Sequence, residues 1–158
     1  MNPSPTVQTE RLTLYPLTDA EMERWAAAQA DPELKQAYRE MLEGCRQHPA
    51  RRLWYAVWNM RPRDGSAASV GDLCFKGLAP DGRVEIGYGV KAAFEGRGYA
   101  TEAVIALTRW AAAQPGVATI EAETDPDNRA SQRVLEKAGF RPTGTVGAEG
   151  PRFVLCGV

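Results

Sequence analysis

Two glycines, Gly96 and Gly98, stand directly in front of a long helical pattern. From Tyr99 the apolar residues Ala100, Ala103, Val104, Leu107, Trp110 and Ala111 recur at spacings of three and four, and Pro115-Gly116 closes the run. Ahead of the glycines lies VEIGYGV, Val84 to Val90, with the β-prone content of a strand. A strand, a glycine loop and a one-sided helix in that order admit few folds. The helix must pack back onto a sheet, and the next strand pattern, TIEAET from Thr119 to Thr124, is then expected to lie parallel to the first. The glycines also remove side chains where a helix exposes its first unpaired N–H groups, an arrangement that clears room for a large anion.

The rest of the chain extends this unit. RLTLYPL alternates, with Leu12 and Leu14 on one face, and Thr18 with Glu21 forms a capping box that opens a helix to about Ala30. Asp31 and Pro32 start a second helix, with Leu34, Tyr38, Met41 and Leu42 at helical spacing and Gly44 as its expected stop. LWYAVWN, Leu53 to Asn59, reads as an aromatic strand, and a further strand is expected near Ser69 to Phe75. After the central helix and TIEAET comes DPDNRASQRVLEKAGF, a capped helix with Ala130, Val134 and Ala138 expected inward and Gly139 just past its end. Arg141 to Val146 and Phe153 to Val158 read as two strands joined by VGAEGP. The order β-α-α-β-β-β-α-β-α-β-β predicts an α+β fold on a mixed sheet of about seven strands, antiparallel first and parallel only around the central helix. No linker or repeat divides residues 1–158, so a single domain is expected.

Composition excludes several function classes. A formal charge of −1 from 19 basic and 20 acidic residues provides no net field for nucleic acid or an anionic membrane. No apolar run approaches the roughly 20 residues of a membrane span, and the start lacks the pattern of a signal peptide, so the cytoplasm is the expected location. Cys45, Cys74 and Cys156 are scattered without metal-ligand spacing and read as buried thiols, and the one histidine, His48, precedes Pro49 in a polar stretch. Neither a zinc site nor a Ser/His/Asp triad is expected.

Three readings compete for the glycines. A tight turn into a helix is the plainest. GYGVKA, Gly87 to Ala92, matches the dinucleotide pattern G-x-G-x-x-G/A, but it lies inside a strand rather than between strand and helix, and no G-x-x-x-x-G-K-S/T is present. The third reading takes GRGYATEA together with NRAS and LEKAGF downstream, and over Val84 to Phe140 the chain resembles the GCN5-related N-acetyltransferase (GNAT) family. That family's pyrophosphate motif, Q/R-x-x-G-x-G/A, falls on Glu95, Gly98 and Ala100; the carboxylate at the first place departs from the pattern and is expected to point to solvent. The opening TERLTLYPLTDAEM is similar to the branch that acetylates ribosomal-protein N-termini, whereas Asp31 to Ala68 matches nothing recognisable.

The resemblance implies acetyl-CoA as cosubstrate and no metal. It places the pyrophosphate on the backbone of Gly96, Arg97, Gly98, Tyr99, Ala100 and Thr101, and the pantetheine arm along Gly89 and Val90 and on Asn128. The N–H near Val90 would polarise the thioester carbonyl. For Arg97 a solvated loop position competes with a phosphate contact, and for Asn128 a plain helix cap competes with a ligand contact. An attacking amine must lose a proton, and the resemblance gives Glu85 that role, with Glu121 and Glu123 as substitutes. The tyrosine that protonates the departing thiolate in many relatives is here Leu135, which leaves Ser131, acting through water, as a proton source, or a thiolate that departs unaided. Direct transfer to a primary amine follows, the acceptor being a peptide α-amine or a small amine; an acyl-CoA-binding module without catalysis is the alternative. A monomer or a homodimer is expected, with Trp54 and Trp58 either in the core or on a dimer face.

Overall fold

A computed structural model describes residues 4–155. Cys156 and the end of the last expected strand lie outside the described residues. The strands are β1 (Val7–Gln8), β2 (Leu12–Pro16), β3 (Val57–Pro62), β4 (Gly71–Leu78), β5 (Arg83–Val90), β6 (Thr119–Glu123), β7 (Phe140–Val146) and β8 (Pro151–Leu155). The helices are α1 (Asp19–Ala27), α2 (Pro32–Gln47), α3 (Tyr99–Ala112) and α4 (Arg129–Lys137). All eight strands join one sheet in the order β1-β2-β3-β4-β5-β6-β8-β7, antiparallel except for the β5–β6 pair. The added member, β1, is the two-residue strand paired to β2.

Pleating sorts the side chains of this sheet into two layers. Leu12, Leu14, Trp58, Met60, Leu73, Phe75 and Ile86 share one face and pack with Ala103, Val104, Leu107 and Ala111 of α3 into the main core. Trp58 and Phe75 are buried there against Trp110, and full burial of one such ring contributes about 1.5–3 kcal/mol. On the opposite face a smaller cluster of Leu17, Met22, Leu42, Cys45, Ala56 and Val57 seats α1 and α2.

Local signals placed most boundaries. Thr18 caps α1 with the reciprocal bonds of the capping box, its Oγ1 accepting from Glu21 N at 3.1 Å. Three expectations are corrected. Leu53 and Trp54 belong to a 3-10 turn, Pro49–Trp54, and the strand begins only at Val57. Their aromatic content serves the core, where Trp54 meets Phe75 at 5.0 Å, rather than a ladder. Trp54 and Trp58 are both buried, in the core rather than on a dimer face. Gly44 lies inside α2, which runs on to Gln47; a Cβ there would come within 2.6 Å of the Tyr55 ring, so the glycine provides space, not a stop. In α4, Ala130 is exposed and Leu135 is the fully buried residue, with Val134 and Ala138 half-buried beside it.

Candidate functional site

β5 is paired on both sides only at its start. Arg83, Val84 and Glu85 face Thr119, Ile120 and Glu121 of β6, and beyond Glu85 the two strands separate. On its other side β5 stays zipped to β4 through Val90. Lys91 N donates to Val70 O at 2.8 Å, and antiparallel alternation makes Asp72–Gly89 and Cys74–Gly87 the next hydrogen-bonded pairs. The N–H and C=O groups of Ile86, Tyr88 and Val90 therefore point into the gap left by β6, where an extended ligand can pair with them as an added strand.

Past Val90 the chain makes a short 3-10 turn, Ala92–Phe94, and reaches the glycines. Gly96 and Gly98 have φ of 75° and 80°, the left-handed region that side chains disfavour. Gly98 is the N-cap of α3 and brings no capping side chain; the first helical bond is Glu102 N to Gly98 O at 3.1 Å. The N–H groups of Tyr99, Ala100 and Thr101 are thus left for a ligand, at the positive end of the α3 dipole. Glu95 is exposed, as the sequence reading required, and so is Arg97, whose guanidinium lies 5.5 Å over the Phe94 ring. These features suit a bulky anion with an extended arm.

Sequence reasoning missed the brace behind this turn. Arg11 donates to Glu102 through Nε at 2.8 Å and through its backbone N at 2.9 Å, stacks 4.4 Å over Tyr99, and brings Nη2 within 3.4 Å of a Cβ built on Gly98. Burial alone would raise the Glu102 carboxyl, but the bonds from Thr9 and Arg11 hold it below its ordinary value.

A cleft of about 860 Å³ runs from Trp25, Tyr38 and Met41 on the α1/α2 side, over Gly87 and Gly89, to Ser131 at the start of α4. Tyr88 closes it on the α4 side, its hydroxyl 2.8 Å from Ser131 Oγ and donating to Ser131 O at 3.0 Å. Burial raises the Tyr88 phenol above its ordinary value, against the bond from Ser131. Asn128 caps α4, its Oδ1 accepting from Ser131 N at 3.0 Å, so the cap role holds and its amide N–H groups stay available. Leu135 is fully buried and presents nothing to the cleft. Burial pushes the Cys74 thiol, in the cleft wall, up to about 12, far from a nucleophilic thiolate at neutral pH.

The expected proton acceptor sits differently. Glu85 opens into an adjoining hollow of about 360 Å³, with Oε2 2.6 Å from Lys76 Nζ and Oε1 3.0 Å from Arg152 Nη2. Arg152 also holds Glu123 at 2.6 Å and lies 3.8 Å from Glu121, so one guanidinium gathers all three carboxylates singled out in the sequence. Among the described residues no cluster of side chains could hold a metal ion, and no helix is long and apolar enough to cross a membrane.

The family model for the acetyltransferase (GNAT) domain matches residues 11–141. The chain belongs to the GNAT family of acetyltransferases. Its relatives include the N-acetyltransferase YoaA of Bacillus subtilis, 28% identical over 90% of this chain and 86% of that protein. A second, YjdG of the same organism, is 40% identical over 38% of this chain and 36% of its own length. Among solved structures, an acetyltransferase from Agrobacterium tumefaciens superposes with a TM-score of 0.73 at 23% identity, covering 99% of this chain and 97% of that one. RimL, a ribosomal L7/L12 α-N-protein acetyltransferase solved with coenzyme A, gives 0.71 at 16% identity over 95% of each chain. The parted strands and uncapped α3 of this GNAT member are thus features of an N-acetyltransferase.

Proposed function

We propose that this GNAT member transfers an acetyl group from acetyl-CoA directly to a primary amine. The observation that carries the reading is β5, which parts from β6 after Glu85 and leads straight into the uncapped start of α3. Bound there, acetyl-CoA supplies the activated acyl group. The N–H groups of Gly96 to Thr101 receive the diphosphate, and the free N–H of Val90 is aimed into the gap, where it polarises a carbonyl. Gly89 gives the arm room, and the Asn128 amide N–H groups, not used by the cap, bind it. Ser131, held by Tyr88 at 2.8 Å, relays a proton through water to the leaving sulfur, taking up in exchange the second proton that the amine gives up. The inert Cys74 thiol supports direct transfer without an acyl-enzyme. Glu85, which opens into the hollow beside the cleft, is the residue that the resemblance nominates for the amine's proton. An acceptor that is a peptide α-amine is supported by the opening TERLTL and by the shared fold of RimL.

Ala100→Asp tests the cradle. An acidic residue in the first turn favours the helix by about 0.3–1 kcal/mol, so the melting temperature holds or rises, while the carboxylate repels a diphosphate. Calorimetric affinity for acetyl-CoA is expected to fall at least tenfold; unchanged affinity removes the assignment. Thiol release over a panel of amines separates an enzyme from a binding module, since tight binding with no turnover on any amine supports the module.

A further inference from the structure

Across the sheet, on the face turned to α1 and α2, the ladder registers align Tyr15, Asn59, Asp72 and Gly89 in one row over β2, β3, β4 and β5. A polar row beneath a helical layer is costly unless its groups are partnered. Two of them are. Asn59 Nδ2 donates to Tyr15 Oη at 2.9 Å and to Ala68 O at 3.0 Å, and Tyr38 of α2 donates to Asp72 Oδ2 at 2.5 Å. Asp72 Oδ1 accepts no hydrogen bond among the described residues, yet it lines the main cleft and lies 4.0 Å from a Cβ built on Gly89. Trp25, in the cleft wall, has its Nε1 buried without a partner. A free carboxylate oxygen and an unused donor thus share one wall, beside the strand that the proposed transfer uses.

Distance decides between carboxylates. Asp72 and Gly89 form a hydrogen-bonded antiparallel pair, which sets their Cα atoms about 5.5 Å apart. Glu85 is five residues from Val90 along an extended strand, about 16 Å. Charge agrees with distance: both Glu85 oxygens already accept from cations, and of the other cleft carboxylates Glu123 and Glu149 lie against Arg152 and Lys76, while Glu40 is exposed and accepts from Gln36. The titratable groups around Asp72 are Tyr38 from α2, Cys74 along β4 and Lys91 beyond β5. Burial lifts the Asp72 carboxyl above its ordinary value, against the bond from Tyr38 and the charge of Lys91.

Resting on the acetyl-transfer reading above, we infer that Asp72 is the acceptor site's own carboxylate: it binds the incoming ammonium through Oδ1 and takes its proton. The ammonium gives one proton to Asp72, the freed lone pair forms the C–N bond to the thioester carbon as the C–S bond breaks, and the second N–H proton ends on the departing thiol. Asp72 then releases its proton to solvent. One half-buried free carboxylate beside Trp25, Tyr38 and Met41, with Glu40 exposed, suits a primary amine with a single charge on an apolar body rather than a polyamine.

The test uses the whole chain saturated with coenzyme A. Phenethylamine, a Leu-Ala-Ala amide and spermidine are titrated by tryptophan fluorescence, and acetyl transfer is followed against pH. In Asp72→Asn, affinity for coenzyme A is expected to stay within twofold while amine affinity falls at least tenfold and the acidic limb of the kcat/KM profile disappears. That limb survives in Glu85→Gln, whatever its rate. Tyr38→Phe, which keeps the ring, moves the limb to higher pH, because a lost hydrogen bond to the carboxylate favours its protonated form. Phenethylamine bound best identifies a free amine and the tripeptide a chain terminus, both supporting the site. Spermidine bound tenfold tighter than either, a limb that persists in Asp72→Asn, or one lost in Glu85→Gln overturns it. Failure of the wild type to bind coenzyme A would instead remove the transferase reading.

Discussion

Gly89 shows how a single residue can be free of folding constraints and still be constrained by function. Its φ is not in the left-handed region, and the only atom near a Cβ there is Asp72 Oδ1 at 4.0 Å, so the fold itself would accept a side chain. Valine suits a strand better than glycine. Gly89→Val should therefore fold with an equal or higher melting temperature, but its branched side chain would stand over Asp72 and cut turnover at least tenfold. Retained turnover would mean that the acetyl group and the amine do not meet at this point of β5. Ser131 was legible at this scale, because N-x-x-S at a helix start is a local pattern; its partner Tyr88 was not, because 43 residues separate them and only the gap between β5 and β6 brings them together.

At the scale of the element, α2 separates propensity from packing. Exchanging glycine for alanine inside a helix ordinarily stabilises by about 1 kcal/mol. Gly44→Ala should do the reverse, since the new methyl would fall 2.6 Å from Cδ1 and 3.1 Å from Cγ of Tyr55, the stem of a half-buried ring. Overpacking of that kind costs about 1–3 kcal/mol, and chemical denaturation would read it as a lowered midpoint. A raised midpoint would show that Tyr55 yields freely and that Gly44 has no packing role. The same residue explains an error of sequence reading: glycine near a helix end resembles a stop, and the ring that needs the space arrives from a later turn. By contrast α3 was read nearly to the residue, since its glycines, its three-and-four periodicity and Pro115-Gly116 all act within a few residues of the ends they define.

For the molecule as a whole, the two faces of the sheet are unequally buried. Among the described residues the α3 side has 19 buried apolar residues in one cluster, the α1/α2 side six. Openings of α1 and α2 should accordingly precede global unfolding, and their amides should exchange with solvent at least tenfold faster than those of α3. Equal protection would show that the two layers open together. The layer expected to open first is a wall of the proposed acceptor cleft, so a bound amine should slow exchange there and leave α3 unchanged. The amino-acid sequence by itself determined the order of elements, the anion-ready start of α3 and the family, because each rests on periodicity, capping and backbone freedom that neighbouring residues supply. Only the tertiary structure decided which charges meet: Arg152 gathering Glu85, Glu121 and Glu123, and Tyr38 reaching Asp72 across 34 residues. Strand register and helix seating set those meetings, and both are settled by burial of whole faces rather than by any local pattern.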